Sequence, residues 1–231
     1  MIQISNLSKK YGETVVFSDL NYTFENACIY GLVGRNGAGK TTLLNILSNY
    51  DKNYTGVISI DRKKMNKVDY LDMPVAYAMD QPSFFNELTI YENLLLIASS
   101  RKIKKQEAFD KIERILDGLG LKKYENYSPL ELSKGTMQRL NNACAMIQEE
   151  KITIFDEPFS GLDPVQMKLL ENVMVEFHKK EKGIYIISSH DIECLQNVCD
   201  KCLLLHNGQI REINMEEVDR EEIAKILSEG E

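Results

Sequence analysis

Hydrophobic positions divide the chain into three parts with different periodicity. In the first part, short apolar runs such as residues 28–33 are separated by polar turns, which is typical of β-strands. Between residues 88 and 149, apolar positions recur at helical spacing, for example at Phe109, Ile112 and Leu116. Strand-like and helix-like segments alternate again in the remainder. The pattern therefore predicts an α/β protein whose sheet is interrupted by a helical subdomain.

The predicted elements follow one another in a definite order. Strands are expected at residues 2–7, 15–17, 22–24, 28–33, 56–60, 75–79, 151–155, 184–187, 202–205 and 209–210. Helices are expected at residues 42–48, 88–100, 104–119, 134–149, 164–180 and 215–227. Ser133 and Asp163 each precede a predicted helix, and Asp191 precedes a further short one; a side-chain oxygen at such a position accepts a free backbone N–H. His206-Asn207-Gly208 predicts a hairpin turn.

Charge and hydropathy narrow the class of protein. The chain has 28 Lys and Arg against 35 Asp and Glu, a net charge of −7, which argues against a nucleic-acid partner. The densest apolar stretch, residues 94–98, is far shorter than the roughly 20 residues that a membrane span needs. We therefore expect no transmembrane helix. The negative net charge still permits a local basic pocket.

One segment carries the full pattern G-x-x-x-x-G-K-[ST]. It is Gly34-Arg35-Asn36-Gly37-Ala38-Gly39-Lys40-Thr41, between a predicted strand and a predicted helix, with Thr42 next. Glycines let the backbone approach phosphate closely, and the amides at a helix N-terminus favour an anion. Lys40 is suited to the β- and γ-phosphates and the Thr41 hydroxyl to Mg²⁺. The segment predicts a site for a nucleoside triphosphate.

Two carboxylates follow the apolar strand at residues 152–155. Asp156 is suited to hold the Mg²⁺ shell. Glu157 is the next residue, so on an extended chain its side chain leaves in the other direction and is a candidate to polarise an attacking water. Together with the phosphate loop, the pair predicts phosphoryl-transfer chemistry.

The order of motifs along the chain resembles the nucleotide-binding subunit of an ATP-binding cassette (ABC) transporter, and its signature segment resembles that of bacterial exporters. The motifs are the phosphate loop, Asp80-Gln81-Pro82 (Q-loop), 132–140 with Leu132-Ser133-Lys134-Gly135 (signature), Asp156-Glu157-Pro158, Ser160-Gly161-Leu162-Asp163 (D-loop) and Ser188-Ser189-His190-Asp191 (switch). The resemblance implies a P-loop NTPase core with a mixed sheet and an N-terminal antiparallel β subdomain. The core would comprise residues 1–81 and 149–231, and the inserted helical subdomain residues 82–148.

The resemblance also assigns roles within the subunit. Tyr11 would stack on adenine, since aromatic rings pair face to face. Gln81 would contact Mg²⁺ and the attacking water. His190 would contact the γ-phosphate and hold the catalytic geometry. Lys40, Gln81, Glu157 and His190 would thus form the catalytic set, with Thr41, Gln81 and Asp156 around the metal.

A second group of residues would contact ATP held mainly by a partner subunit. The group consists of Ser133, Lys134, Gly135 and Asp163. The signature departs from the family's commonest form, Leu-Ser-Gly-Gly-Gln, because Lys134 replaces a glycine and Thr136 stands at the glutamine position. Ser-Lys-Gly resembles a variant of bacterial exporter ATPases, so the departure puts the efficiency of dimer closure in question rather than activity itself.

The function implied is ATP hydrolysis, with ATP and Mg²⁺ bound, that drives transport through a separate membrane subunit, with export favoured. The expected partners are transmembrane permease subunits and a second ATP-binding subunit, either a copy or a paralogue, at the cytoplasmic face of the cell membrane. Two alternatives stay open at this point: a soluble ABC-type ATPase acting on ribosomes or DNA, and a P-loop small-molecule kinase.

Overall fold

A computed structural model of the chain describes residues 1–68, 72–190 and 192–214. The predicted helix cap at Asp191 and the predicted tail helix at residues 215–227 lie outside these residues. The other predicted strands and helices are present, with boundaries that move by a few residues.

The N-terminal residues form a four-stranded antiparallel sheet with the strand order β2-β1-β4-β5. Its strands are β1 (Ile2–Tyr11), β2 (Thr14–Phe24), β4 (Thr55–Ile60) and β5 (Lys63–Lys64). The predicted short pieces at 15–17 and 22–24 are parts of the single strand β2. A bulge in β1 opposite β4 brings the chains so close that a Cβ at Gly56 would lie 2.3 Å from the carbonyl oxygen of Asn6. Gly56 has a φ angle of 98°, which glycine adopts without strain. Any other residue would be strained at this angle, and its Cβ would collide with Asn6.

A six-stranded mixed sheet forms the centre of the molecule, with the order β10-β9-β3-β8-β7-β6. Its strands are β3 (Cys28–Val33), β6 (Val75–Ala78), β7 (Ile152–Asp156), β8 (Ile184–Ser189), β9 (Lys201–His206) and β10 (Gln209–Ile213). All neighbours are parallel except the β9–β10 hairpin. The carboxyl ends of β3, β6, β7 and β8 therefore meet at one edge of the sheet.

Six α-helices are described around the two sheets. They are α1 (Lys40–Leu47), α2 (Ile90–Ser100), α3 (Lys105–Gly118), α4 (Lys134–Met146), α5 (Pro164–Glu181) and α6 (Glu193–Gln196). Ser133 and Asp163 cap α4 and α5 as predicted, accepting the backbone N–H of Thr136 and Gln166. Helices α2 to α4 lie between β6 and β7 in the chain, as the predicted helical insertion requires.

Alternation along the central strands divides the interior into two hydrophobic cores. On β7 and β8, Ile154 and Ile186 pack towards α1 and the N-terminal sheet. Their neighbours Phe155 and Ile187 pack towards α2 to α5. Because successive side chains of a strand point to opposite faces, a strand covered on both faces is apolar throughout. Among the described residues, no helix is both long and apolar enough to cross a membrane.

Candidate nucleotide-binding site

The glycine-rich loop joins the buried strand β3 to helix α1 as the motif predicts. Gly37 and Gly39 have φ angles of 79° and 100°, in the left-handed region that glycine adopts without a steric penalty. A Cβ at Gly39 would lie 2.7 Å from Val16 Cγ1 on β2, so β2 closes tightly over the loop. The loop therefore needs glycine at this position for two independent reasons.

A cavity of about 460 Å³ opens at this loop, at the carboxyl edge of the central sheet. Ten residues predicted from the sequence line it: Tyr11, Arg35, Asn36, Gly37, Gly39, Lys40, Thr41, Thr42, Asp156 and Glu157. Gly34 and Ala38 belong to the same loop, where a Cβ at Gly34 would lie 2.8 Å from the carbonyl oxygen of Leu205. The lining residues that sequence reasoning missed are Thr14, Val16 and Asp80.

Lys40 is buried at the floor of the cavity. Its Nζ donates to the carbonyl oxygen of Gly34 at 2.6 Å and lies 3.8 Å from Glu157 Oε1. Burial lowers the pKa of Lys40, although the charges of Glu157 and Asp156 oppose the shift. A phosphate chain in the cavity would favour the charged lysine further, so the loop and Lys40 fit a nucleoside triphosphate.

Asp156 stands at the end of β7, almost completely buried. The Ser188 hydroxyl donates to its Oδ1 at 2.5 Å, and the Tyr77 hydroxyl lies 3.4 Å from its Oδ2. Burial and the charge of Asp156 raise the pKa of Tyr77. These contacts fix the orientation of the carboxylate. Sequence reasoning did not assign Ser188 a role, although it lies in the quoted switch segment.

Glu157 does not continue the extended strand that the sequence predicts, but adopts a left-handed backbone with φ 49°, which is uncommon for a residue with a side chain. Its backbone N–H donates to Ser188 Oγ at 2.9 Å. Its Oε2 lies 2.9 Å from Nδ1 of the exposed His190. The turn therefore directs the Glu157 carboxylate between His190 and Lys40 at the mouth of the cavity, where a water could be polarised.

Gln81 and the signature residues lie outside the cavity. Gln81 is exposed, while its neighbour Asp80 lines the cavity. At the start of α4, a Cβ at Gly135 would lie 2.9 Å from the carbonyl oxygen of Gly161, and the Lys134 side chain runs beside Gly161. The predicted partner-contact residues are therefore gathered where the signature segment meets the segment that leads to Asp163.

Comparison with known proteins identifies the family. The sequence model of the ABC transporter family matches residues 17–160, which is more than half of the chain. The chain belongs to the ABC transporter family. It is an ATP-binding subunit and an ABC-type ATPase, as the order of motifs predicted.

Individual relatives of this ABC subunit agree with the family match. The bacitracin transport ATP-binding protein BcrA of Enterococcus faecalis is 30% identical over 95% of this chain and 71% of its own length. The tungstate uptake system ATP-binding protein TupC of Peptoclostridium acidaminophilum is 29% identical over 91% and 97%. A solved structure described as an ATP binding subunit of an ABC transporter superposes with a TM-score of 0.85 at 27% identity, covering 98% of this chain and 94% of that one. These likenesses extend over nearly all of this ABC subunit.

Three amide side chains on α4 of the ABC subunit hold the loops that carry the predicted chemistry. Gln138 donates to the carbonyl oxygen of Glu157 at 3.2 Å and Asn142 to that of Pro158 at 3.1 Å. Asn141 donates to the carbonyl oxygen of Met79 at 2.7 Å, just before Asp80. Sequence reasoning missed all three residues. The signal that could have revealed them is a run of polar residues in a helix that is mostly buried.

The oxygen atoms around the cavity of the ABC subunit suit a hard cation such as Mg²⁺. The Thr41 hydroxyl and the Asp156 carboxylate line the same cavity as Lys40. Among the described residues, no group of three His, Cys, Asp or Glu side chains could hold a metal ion alone. Because Mg²⁺ is usually bound by one or two carboxylates together with substrate phosphates, this donor set fits Mg²⁺ that arrives with a nucleotide.

Proposed function

We propose that the chain hydrolyses ATP in this cavity and thereby powers a transporter whose membrane-spanning part is a separate chain. The placement of Glu157 between His190 and Lys40, beside the buried Asp156, supports this most directly. The phosphate loop from Gly34 to Thr42 would bind the phosphates, and Tyr11 the adenine. Thr41, Gln81 and Asp156 would hold Mg²⁺, which when bound would neutralise charge on the phosphate oxygens.

Glu157 is the proposed base for the attacking water. Its carboxylate is held from one side by His190 Nδ1 at 2.9 Å, and Lys40 Nζ lies 3.8 Å away on the other. His190, 62% exposed, would turn towards the γ-phosphate while keeping Glu157 oriented. Gln81 would approach the water and the metal from the loop after β6. A base held by neighbours before the substrate arrives loses less free energy on reaching the reactive geometry.

We further propose a second ATP-binding subunit, either a copy of this chain or a paralogue. Ser133, Lys134 and Gly135 at the start of α4, with Asp163 at the start of α5, would contact the nucleotide of that partner. Their position outside the chain's own cavity supports this assignment. Asp163 would keep its capping bond to the Gln166 N–H while doing so.

The membrane partner would dock on the surface that follows Gln81, residues 82–85. Phe85 is 59% exposed, whereas Phe84 packs partly into the helical core. The Ser128 hydroxyl donates to the carbonyl oxygen of Asn86 at 2.8 Å, which joins this loop to the segment that carries the exposed Leu130. Such docking would place the subunit at the cytoplasmic face of the cell membrane, with residues 82–148 as the subdomain that moves against 1–81 and 149–231.

Export is the proposed direction, and it rests on the Ser-Lys-Gly signature. The relatives named above include a protein of bacitracin transport and one of tungstate uptake, so they support transport without separating export from import.

The family match describes transporters, so it gives no support to the alternative of a small-molecule kinase. Copurification of the tagged chain with a multi-span membrane protein would support transport. Copurification with ribosomes would instead support the alternative of a soluble ABC-type ATPase.

The test of the chemistry is the pair of variants Glu157→Gln and Lys40→Ala. We expect Glu157→Gln to bind ATP, to lose at least about 100-fold in turnover because general-base catalysis is removed, and to accumulate an ATP-bound dimer. Lys40→Ala should weaken ATP binding itself. Glu176→Gln, which alters a glutamate of an exposed pair with Lys180, is the matched control and should behave as wild type. Near wild-type hydrolysis by Glu157→Gln would exclude Glu157 as the base.

A further inference from the structure

Tyr11 is held at both its hydroxyl and its ring. It ends β1, lines the cavity and is 52% exposed. Its hydroxyl donates to Asp51 Oδ2 at 3.0 Å. An exposed tyrosine is ordinarily free to change rotamer. The hydrogen bond therefore fixes the Tyr11 ring only if Asp51 is itself held in place.

Asp51 is held by contacts with a buried lysine and a backbone turn. Lys9 Nζ lies 2.7 Å from Asp51 Oδ2 and donates to the carbonyl oxygen of Asn53 at 2.7 Å. The Asn53 N–H donates to Asp51 Oδ1 at 2.9 Å. Only 2% of the Lys9 side chain and 18% of the Asp51 side chain are exposed. Burial alone would raise the pKa of Asp51, but the hydrogen bonds from Lys9, Asn53 and Tyr11 outweigh it and hold the pKa below its ordinary value.

The same lysine covers one face of the Tyr11 ring. Lys9 Nζ lies over the ring, 4.4 Å from its centroid, within the range of a cation–π contact. Only the opposite face of the ring is left for a planar ligand. The Asp51 N–H also donates to the carbonyl oxygen of Asn45 on α1 at 3.0 Å. The ring is therefore tied to the helix that begins at the phosphate loop.

We propose that Lys9 and Asp51 are positioning residues for the nucleotide base: they hold Tyr11 so that its uncovered face meets adenine. This rests on the proposed stacking of adenine on Tyr11. Fixing the ring before ATP arrives removes the entropy cost of ordering an exposed side chain during binding. The contribution falls on the base alone, because neither residue lines the cavity at the phosphate loop.

The experiment compares two ligands, ATP and inorganic tripolyphosphate, which has the phosphates but no base. Dissociation constants are measured by calorimetry for the wild type, Tyr11→Ala, Tyr11→Phe and Asp51→Asn. Tyr11→Phe keeps the ring and the Lys9–Asp51 pair and removes only the hydroxyl, so it serves if Asp51→Asn folds poorly. We expect Tyr11→Phe and Asp51→Asn each to weaken ATP binding about 2- to 10-fold, the effect of ordering one side chain, with tripolyphosphate unchanged.

The matched control is Asp61→Asn. Asp61 also pairs with a lysine, Lys151 at 3.0 Å, but lies away from the cavity, and this variant should bind both ligands as the wild type does. The double variant Tyr11→Phe with Asp51→Asn should lose no more ATP affinity than the single variant that binds ATP less tightly, because both substitutions act on the same Tyr11–Asp51 contact.

The outcomes separate this inference from the function on which it rests. If Tyr11→Ala binds ATP normally, the stacking role of Tyr11 is wrong and the inference falls with it. If Tyr11→Ala is weakened while Tyr11→Phe and Asp51→Asn bind ATP as the wild type does, the positioning role alone is overturned. Equal weakening towards ATP and tripolyphosphate in Asp51→Asn would indicate a general structural role and would also overturn it.

Discussion

At the scale of single residues, Ser188 bonds both Asp156, which ends β7, and Glu157, which follows it. Its hydroxyl donates to Asp156 and accepts from the backbone N–H of Glu157, so one buried oxygen serves both neighbours. Glu157 holds its left-handed backbone under this constraint. Backbones of this kind cost free energy and persist where the surroundings determine them, which is common at functional sites. Ser188 therefore supports the geometry on which the proposed base depends.

We predict that Ser188→Ala lowers both stability and turnover. The substitution removes the donor to the buried Asp156 carboxylate and the acceptor of the part-buried Glu157 N–H, which costs about 1–3 kcal/mol in the free energy of unfolding. Turnover should fall because Asp156 and Glu157 lose a shared anchor. Urea unfolding and steady-state ATP hydrolysis measure the two effects. The control is Ser99→Ala, whose exposed hydroxyl donates to the Leu95 carbonyl oxygen of its own helix. Equal stability of the two variants would contradict the prediction.

At the scale of elements, helix α4 connects the signature segment to the two loops that carry proposed catalytic residues. Its N-terminus is capped by Ser133 beside Gly161, and one turn later Gln138 reaches the backbone of Glu157. Asn141 reaches Met79, which precedes the Q-loop. The helix thus contacts both loops through backbone carbonyls, and a shift of α4 would move both.

We predict that Gln138→Met reduces turnover with little effect on ATP affinity. Methionine is similar in volume but cannot donate, so the Glu157 carbonyl oxygen loses the bond from Gln138 and keeps the bond from the Ser160 N–H. Losing one hydrogen bond of about 0.5–1.5 kcal/mol should lower turnover about 2- to 10-fold if it acts on the transition state. Single-turnover hydrolysis and ATP binding measure the two quantities. Gln148→Met, two residues beyond the end of α4 and bonded to Arg101, is the control, and an equal loss of turnover there would refute the assignment.

At the scale of the whole molecule, Lys111 links the helical segment to the core. It is fully buried on α3, and its Nζ lies 2.7 Å from Glu149 and 3.0 Å from Glu181. The Tyr185 hydroxyl on β8 donates to the same Glu181 at 2.8 Å. This network joins α3, α5 and the segment before β7, at the end of the central sheet opposite the cavity.

We predict that Lys111→Ala destabilises the chain by about 3 kcal/mol, because removing one partner of a buried ion pair leaves carboxylates without compensation. Glu149 and Glu181 are partly exposed, so the expected loss of unfolding free energy lies at the low end of the range for buried ion pairs. Lys180→Ala removes the same charge from an exposed pair with Glu176 and should cost at most about 0.5 kcal/mol. Urea denaturation of both variants, with ATP binding as a check on the cavity, measures the difference; similar midpoints would contradict the prediction.

Contiguous stretches of sequence determined much of this protein. The phosphate loop is one unbroken segment, so its glycines, Lys40 and Thr41 could be assigned from spacing alone. The caps at Ser133 and Asp163 are local as well, since each bonds a backbone N–H three residues away. Apolar runs covered on both faces predicted β3, β7 and β8, and the order of motifs predicted the family.

Tertiary structure alone decided which distant residues meet. Asp156 faces Ser188 through the parallel register of β7 and β8, and because both strands are buried on both faces, neither shows the alternation that would indicate a register. The contacts of Gln138 with Glu157, and of Tyr11 with Asp51, likewise join segments from different elements. Short-range hydrogen bonds leave a signature in residue spacing, whereas contacts across a sheet depend on how its strands and helices pack. The sequence therefore determined the groups proposed to act on phosphate, and the fold decided what holds them in place.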